Sequence, residues 1–381
     1  MRCLALSVAL TACSSEPIAL LWKVDLGAPT VSTPLVTEQF IALGSQQGVS
    51  VIELSGARRC VFPASGEIIS APETDGKRIF FGSTNYIVYA IDLQCNLVWK
   101  FPTRDRVKSD PLYKDGVVYT SSYDGHVYAL EADSGKELWE FPEPLVAELK
   151  EAATESPETT TRTIGVDASG TTTSVSMVEP AMKVGDFSYS SPIIEDGVLY
   201  LGNLDRHLYA ITALDGTLQW RFRTDAAVTS SPLYLNGALY FGSNDGHVYA
   251  VDVKQMKVLW KHATGDWVNS SPNIVDGVLY IGGNDRFIYA LDVATGNEKW
   301  KSPTKGPAIP IPAVYQNLVI GAGGSGDGTI YVLNKDNGSA FWQFNTGGKI
   351  DSDPVLVGDK LYVSSADGFL YAFQIRRTTA N

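Results

Sequence analysis

A motif of about forty residues recurs along this chain, and no other feature narrows the fold so far. Its prolines set the period. They are Pro34, Pro72, Pro111, Pro192, Pro232, Pro272, Pro312 and Pro354, at spacings of 38, 39, 81, 40, 40, 40 and 42 residues. The unit is clearest from Val228 to Trp260. Four short runs, Val228 to Tyr234, Ala238 to Phe241, His247 to Val253 and Val258 to Trp260, are parted by turn residues, including Asn236-Gly237 and Asn244-Asp245-Gly246. Short alternating runs joined by Asn-Gly and Asp-Gly predict antiparallel strands linked by tight hairpins. Each unit is therefore a four-stranded meander.

Other markers keep the same phase. Trp22, Trp99, Trp220, Trp260, Trp300 and Trp342 each stand twelve residues before a marker proline. Cys60 holds that place before Pro72. Trp139 is separated from Pro192 by an insertion of 41 extra residues. Tyr-Ala pairs mark the third run at Tyr89, Tyr128, Tyr209, Tyr249, Tyr289 and Tyr371. Eight units are countable. The last lacks its fourth strand, while the chain opens on Leu20 to Val24, a fourth strand without its first three. Pairing the two ends closes a ring. The predicted fold is all-β, an eight-bladed β-propeller of four-stranded antiparallel blades over 20–376, with the N-terminal strand completing the last blade. A linear β-solenoid with capping units is the alternative.

The insertion, 142–186, carries eight acidic residues against Lys150, Arg162 and Lys183. Leu145 to Ala153 suits a helical turn or two, and Thr171 to Val178 a hairpin arm. The insertion is close to one repeat in length, so it is either a decayed ninth blade or an excursion from the ring. The excursion is preferred, because the segment lacks the Ser-Ser-Pro, the paired turn and the tryptophan of a unit.

The pair before each marker proline is small, as in Ser190-Ser191, Ser230-Ser231 and Ser270-Ser271. Such residues suit the crowded innermost strand. Asp110 and Asp353 fall in this row and would make the channel mouth negative, so both are candidate partner-binding residues. The repeated tryptophans are expected to fill the seams between blades. With Cys60 in place of tryptophan, the first seam is expected to be less filled. Trp267 is the one tryptophan off the repeat, and it is a candidate anchor for a partner.

His126, His207 and His247 each follow an Asp by two residues. Equivalent positions on different blades need not converge, so turn and packing roles are expected and no metal site. The glycine-rich Gly321 to Gly328 reads as a longer hairpin turn. No HExxH, GxSxG or CxxCH occurs, and no catalytic or cofactor-binding residue is nominated.

The formal net charge of −12 argues against nucleic-acid binding. Cys60 and Cys95 leave one disulfide open as an option in an oxidising compartment, although they are not at equivalent repeat positions. At the N-terminus, Arg2, the apolar Leu4 to Leu10 and Leu10-Thr11-Ala12-Cys13 resemble a bacterial lipoprotein signal. Residues 1–12 would be removed, Cys13 would carry the lipid, and 13–19 would be a tether. Ser14 resembles the outer-membrane sorting pattern.

The pattern GxxYxGSxDGxxYAxDxxxGxxxW resembles the PQQ-type propeller repeat. Gly237 to Trp260 follows it, with Met256 in place of the last glycine. Two branches share this repeat, the quinone-dependent dehydrogenases and the BamB-like outer-membrane assembly lipoproteins. The adjacent cysteines found in many of the former do not occur here. The resemblance thus implies a non-enzymatic, lipid-anchored scaffold without cofactor on the periplasmic face of the outer membrane. It also implies protein partners: a subunit of the β-barrel assembly machine and unfolded outer-membrane proteins. A PQQ-dependent dehydrogenase or a ligand-binding periplasmic propeller is the alternative.

Overall fold

The structure is a computed structural model that describes residues 16–142, 159–166, 172–178 and 189–376. Eight four-stranded antiparallel sheets form the blades of a propeller. In the fifth blade the strands are β20 (Leu233–Leu235), β21 (Ala238–Ser243), β22 (His247–Asp252) and β23 (Lys257–Ala263), paired in that order. The N-terminal strand β1 (Ile18–Asp25) pairs antiparallel with β34 (Phe369–Ile375), from Ile18 opposite Ile375 to Asp25 opposite Phe369. The predicted ring closure is therefore present.

The innermost strands are shorter than expected. Val228 to Tyr234 was expected to be one strand, but the ladder begins only at Leu233. The residues before it are committed elsewhere. The Val228 N–H donates to the Asn203 carbonyl at 3.0 Å, the Ser231 N–H donates to Ser271 Oγ at 2.8 Å, and Pro232 has no N–H.

Apolar residues are buried in eight clusters, each built from two neighbouring blades. The core is thus a circle of seams. Each of four tryptophans closes a seam by two contacts. The indole lies over a positive-φ glycine in the turn between the third and fourth strands of the next blade, and its Nε1–H donates to a carbonyl there. Trp99 meets Gly135 and bonds Ala132 O at 2.8 Å; Trp139 meets Gly216 and bonds Ala213 O at 3.0 Å. Trp260 meets Gly296 and bonds Val293 O at 2.9 Å; Trp300 meets Gly338 and bonds Lys335 O at 2.8 Å. A Cβ on Gly296 would lie 2.6 Å from the Trp260 ring. Trp342 faces the closing blade, which has no such turn because its fourth strand comes from the N-terminus. It packs on Phe344 and Phe373 instead.

At the first seam the disulfide that the sequence leaves as an option is formed: Cys60 and Cys95 are bonded, with a Cα–Cα distance of 6.0 Å. Cys60 stands where other blades have tryptophan. Cys95, at φ 64°, stands in the turn where other blades have glycine. A covalent bond replaces the indole–glycine contact.

Within the insertion, β14 (Thr159–Val166) pairs antiparallel with β15 (Thr172–Val178), which matches the expected hairpin arm. A ninth blade would need four strands, and the described residues of the insertion form a two-stranded sheet. The helical turn expected at 145–153, the signal at 1–12 and Cys13 lie outside the described residues.

Two expectations follow from the seams. Gly296→Val should destabilise the fold by about 2–4 kcal/mol, combining a steric clash with backbone strain. Gly277→Val should cost only about 1–2 kcal/mol, because Gly277 has a similar φ of 74° and open space around it. Urea unfolding compares the two, and equal losses would count against the indole–glycine contact. Replacing Cys60 and Cys95 by serine should lower stability by about 2–4 kcal/mol in the same assay.

Candidate functional site

The antiparallel meander sends all blade-to-blade connectors to one face, together with the hairpins between second and third strands. Hydrogen bonds lock the two sets together, as in Thr103 N–H to Tyr86 O at 2.8 Å and Tyr123 N–H to Arg106 O at 2.9 Å. Six of the eight hairpin turns carry an Asp, and in the third blade it strengthens this latch. Asp124 Oδ1 accepts the His126 N–H at 2.9 Å, and its Oδ2 accepts the Tyr128 hydroxyl at 2.7 Å and the Arg104 N–H of the connector at 2.9 Å. Burial raises the Asp124 carboxyl, but these hydrogen bonds outweigh it and hold the group below its ordinary value. Tyr–Asp bonds recur at Tyr209–Asp205, Tyr249–Asp245, Tyr289–Asp285, Tyr331–Asp327 and Tyr371–Asp367. His126, His207 and His247 each bond the Asp of their own turn and do not converge.

Around the axis, backbone N–H groups donate to side-chain oxygens one blade further on. Ala71 donates to Asp110 at 2.6 Å, Asp110 to Ser191 at 3.1 Å, and Ser191 to Ser231 at 2.8 Å. Ser231 donates to Ser271 at 2.8 Å, Ile311 to Asp353 at 2.7 Å, and Asp353 to Thr33 at 2.9 Å. The belt is interrupted where Ala71 and Ile311 offer no oxygen. The small residues at these positions therefore do more than relieve crowding: their hydroxyls are acceptors.

Asp110 and Asp353 belong to this belt. Each has a second bond, from the Ser191 hydroxyl to Asp110 Oδ2 at 3.0 Å and from the Thr33 hydroxyl to Asp353 Oδ2 at 3.2 Å. Water reaches them from the channel, yet protein encloses both. Burial, reinforced by the charge of Asp110, pushes the Asp353 carboxyl up to about 7 against the hydrogen bonds from Ile311 and Thr33. Burial also raises Asp110, and it raises Glu73 with help from the Asp110 charge. The repeat shows that two carboxylates enter the inner row. It does not show that protein encloses both beside the channel, or that the charge of one reaches the other.

Trp267 lies on the connector face and is 53% exposed. Tyr86 and Tyr189 are exposed on the same face at 48% and 55%, so Trp267 is one of three. Sequence reasoning missed both tyrosines. Tyr86 is off the repeat in a turn at φ 71°, and Tyr189 follows the insertion.

These features define a PQQ-type-repeat propeller with a built axial belt and an aromatic connector face. The model of the family described as outer membrane protein assembly factor BamB matches residues 21–170, 161–309 and 284–380, and the chain belongs to that family. It is 24% identical over 221 residues to the outer membrane protein assembly factor BamB of Moranella endobia (strain PCIT). That match covers 53% of this chain and 46% of the relative, so the chain spans under half of that relative's length. Among solved structures, BamB from Moraxella catarrhalis superposes with a TM-score of 0.72 at 16% identity, covering 94% of this chain and 99% of that one. The quinohemoprotein alcohol dehydrogenase from Comamonas testosteroni superposes at 0.71 and 12% identity, covering 96% and 78%. At these identities the structures share the fold alone.

The raised Asp353 carboxyl makes a pH prediction. Unfolded, it titrates near the ordinary value of about 4. From there to about pH 7 the folded protein holds a proton that the unfolded chain has lost, so this group's contribution to stability falls as pH rises through that window. Asp353→Asn removes the titration and keeps an acceptor for the Ile311 N–H. The stability of the variant relative to the parent should rise between pH 5 and pH 8 in urea titrations. A constant difference would contradict this account.

Proposed function

We propose that this protein is a non-enzymatic scaffold that holds partner proteins during outer-membrane β-barrel assembly, and that it docks them on the connector face. The observation that carries the reading is the family match along residues 21–380. The Cys60–Cys95 bond supports an oxidising compartment such as the periplasm. Exposed Tyr86, Tyr189 and Trp267 on the connector face of a rigid ring suit a docking surface, with Trp267 as an anchor. Asp110 and Asp353 would meet only a partner segment that enters the channel. Lipidation at Cys13 would place the ring at the periplasmic face of the outer membrane. Its partners would be a subunit of the β-barrel assembly machine and unfolded outer-membrane proteins. The propeller would occupy 20–376, after a signal at 1–12 and a tether at 13–19, with 142–186 as an excursion.

In-cell crosslinking followed by affinity capture and mass spectrometry tests this. A β-barrel assembly subunit should be recovered with the parent, and its yield should drop several-fold with Trp267→Ala. Recovery of periplasmic dehydrogenases in place of assembly subunits would sink the reading.

A further inference from the structure

The connector 103–108, Thr-Arg-Asp-Arg-Val-Lys, carries three cations in a chain whose net charge is −12. Among the seven connectors made wholly of described residues, no other has more than one. Arg104 is satisfied locally: its guanidinium bonds both oxygens of Glu140 at 3.0 Å. The other two cations are used differently. The Arg106 guanidinium sits 4.6 Å from the Tyr123 ring centre. The Lys108 ammonium sits 4.9 Å from the Tyr123 ring and 5.4 Å from the Tyr189 ring. Tyr123 and Tyr189 meet edge to face at 5.7 Å, so the cluster bridges the third and fourth blades. Among the described residues no carboxylate lies within ion-pair distance of Lys108, and Arg106 has only its neighbour Asp105, at 3.4 Å. A cation over a ring face keeps donor hydrogens for an anion.

The cluster is held in place before any ligand arrives. Tyr123 N–H donates to Arg106 O at 2.9 Å, the Ser122 hydroxyl donates to Asp105 O at 3.1 Å, and Val107 N–H donates to Ser83 O at 3.1 Å. Preorganisation of this kind lowers the ordering cost of binding.

We propose that Arg106, Lys108, Tyr123 and Tyr189 form a docking site for an acidic segment of a partner protein, in which carboxylates meet the two cations and apolar side chains meet the exposed Tyr189 ring. This rests on the scaffold reading above and names the chemistry of one partner. Charge complementarity carries the choice of occupant. A phosphate-rich nucleic acid is disfavoured by the disulfide-forming compartment and the chain's overall charge. A lipid surface sums charge over a wide area, whereas this patch is small and interleaved with Asp105, Asp124 and Glu140.

The test uses fluorescence anisotropy with the purified protein and a fluorescein-labelled synthetic peptide that alternates glutamate with leucine. The parent should bind it in a salt-sensitive manner. Arg106→Glu combined with Lys108→Glu should weaken binding at least about tenfold. Tyr189→Ala should weaken it less. Circular dichroism checks folding, and the milder Arg106→Ala with Lys108→Ala replaces the charge reversal if that variant fails to fold. Undiminished binding by the variants would overturn the proposal. So would equal binding of a lysine–leucine peptide, or preference for phosphatidylglycerol vesicles over the peptide. The two readings fail separately. A flat peptide titration leaves the crosslinking result standing, and absence of an assembly subunit leaves the peptide result readable.

Discussion

Everything in this molecule depends on the contact between one blade's outer strand and the next blade's turn. A single four-stranded meander is too thin to bury its own apolar faces, so stability comes from the seams. At four of them an indole covers a glycine whose positive φ and missing side chain make room for it, and an N–H to carbonyl bond sets its position. Size and geometry are both required there. Five of these turns carry the glycine, and Met256, also at positive φ, takes its place in the fifth blade.

The exceptions follow the same logic. Cys60 and Cys95 replace both members of the pair at once, and a covalent bond does the work of the ring. Trp342 faces the one blade whose fourth strand comes from the far end of the chain, so an aromatic cluster substitutes for the missing turn. The axial belt is a second circuit at smaller radius, made of polar bonds where the seams are apolar. Two aspartates stand in it, each accepting from a neighbour that has no side-chain oxygen of its own. The outer circuit supplies most of the burial, while the inner one satisfies backbone groups that short inner strands leave unpaired.

Much of this was legible from residues. Proline spacing, Tyr-Ala pairs and the split final unit point to eight blades and to closure by the N-terminal strand. The disulfide carried a signal too. Cys60 and Cys95 are not equivalent, but they are complementary: one takes the tryptophan's place and the other the glycine's. Comparing equivalent positions alone hides that relation. The hydrogen-bonding role of Ser191, Ser231 and Ser271 was hidden for another reason, since smallness explains a serine near an axis without any reference to its hydroxyl. The connector cluster was the least visible. Arg106, Lys108, Tyr123 and Tyr189 lie up to 83 residues apart, with the insertion between them, and they meet only because the ring sets the third blade beside the fourth.

The repeat, the strand pattern and the ring closure were all readable in the chain, because these follow from local periodicity and from which residues fit a turn. Only the tertiary structure decided which side chains face one another across blades. That includes the paired sulfurs, the belt that holds Asp110 and Asp353, and the cations that lie over Tyr123 and Tyr189. The physical reason is that a repeat encodes each blade's own shape, while chemistry between blades depends on what the next blade brings to the same height.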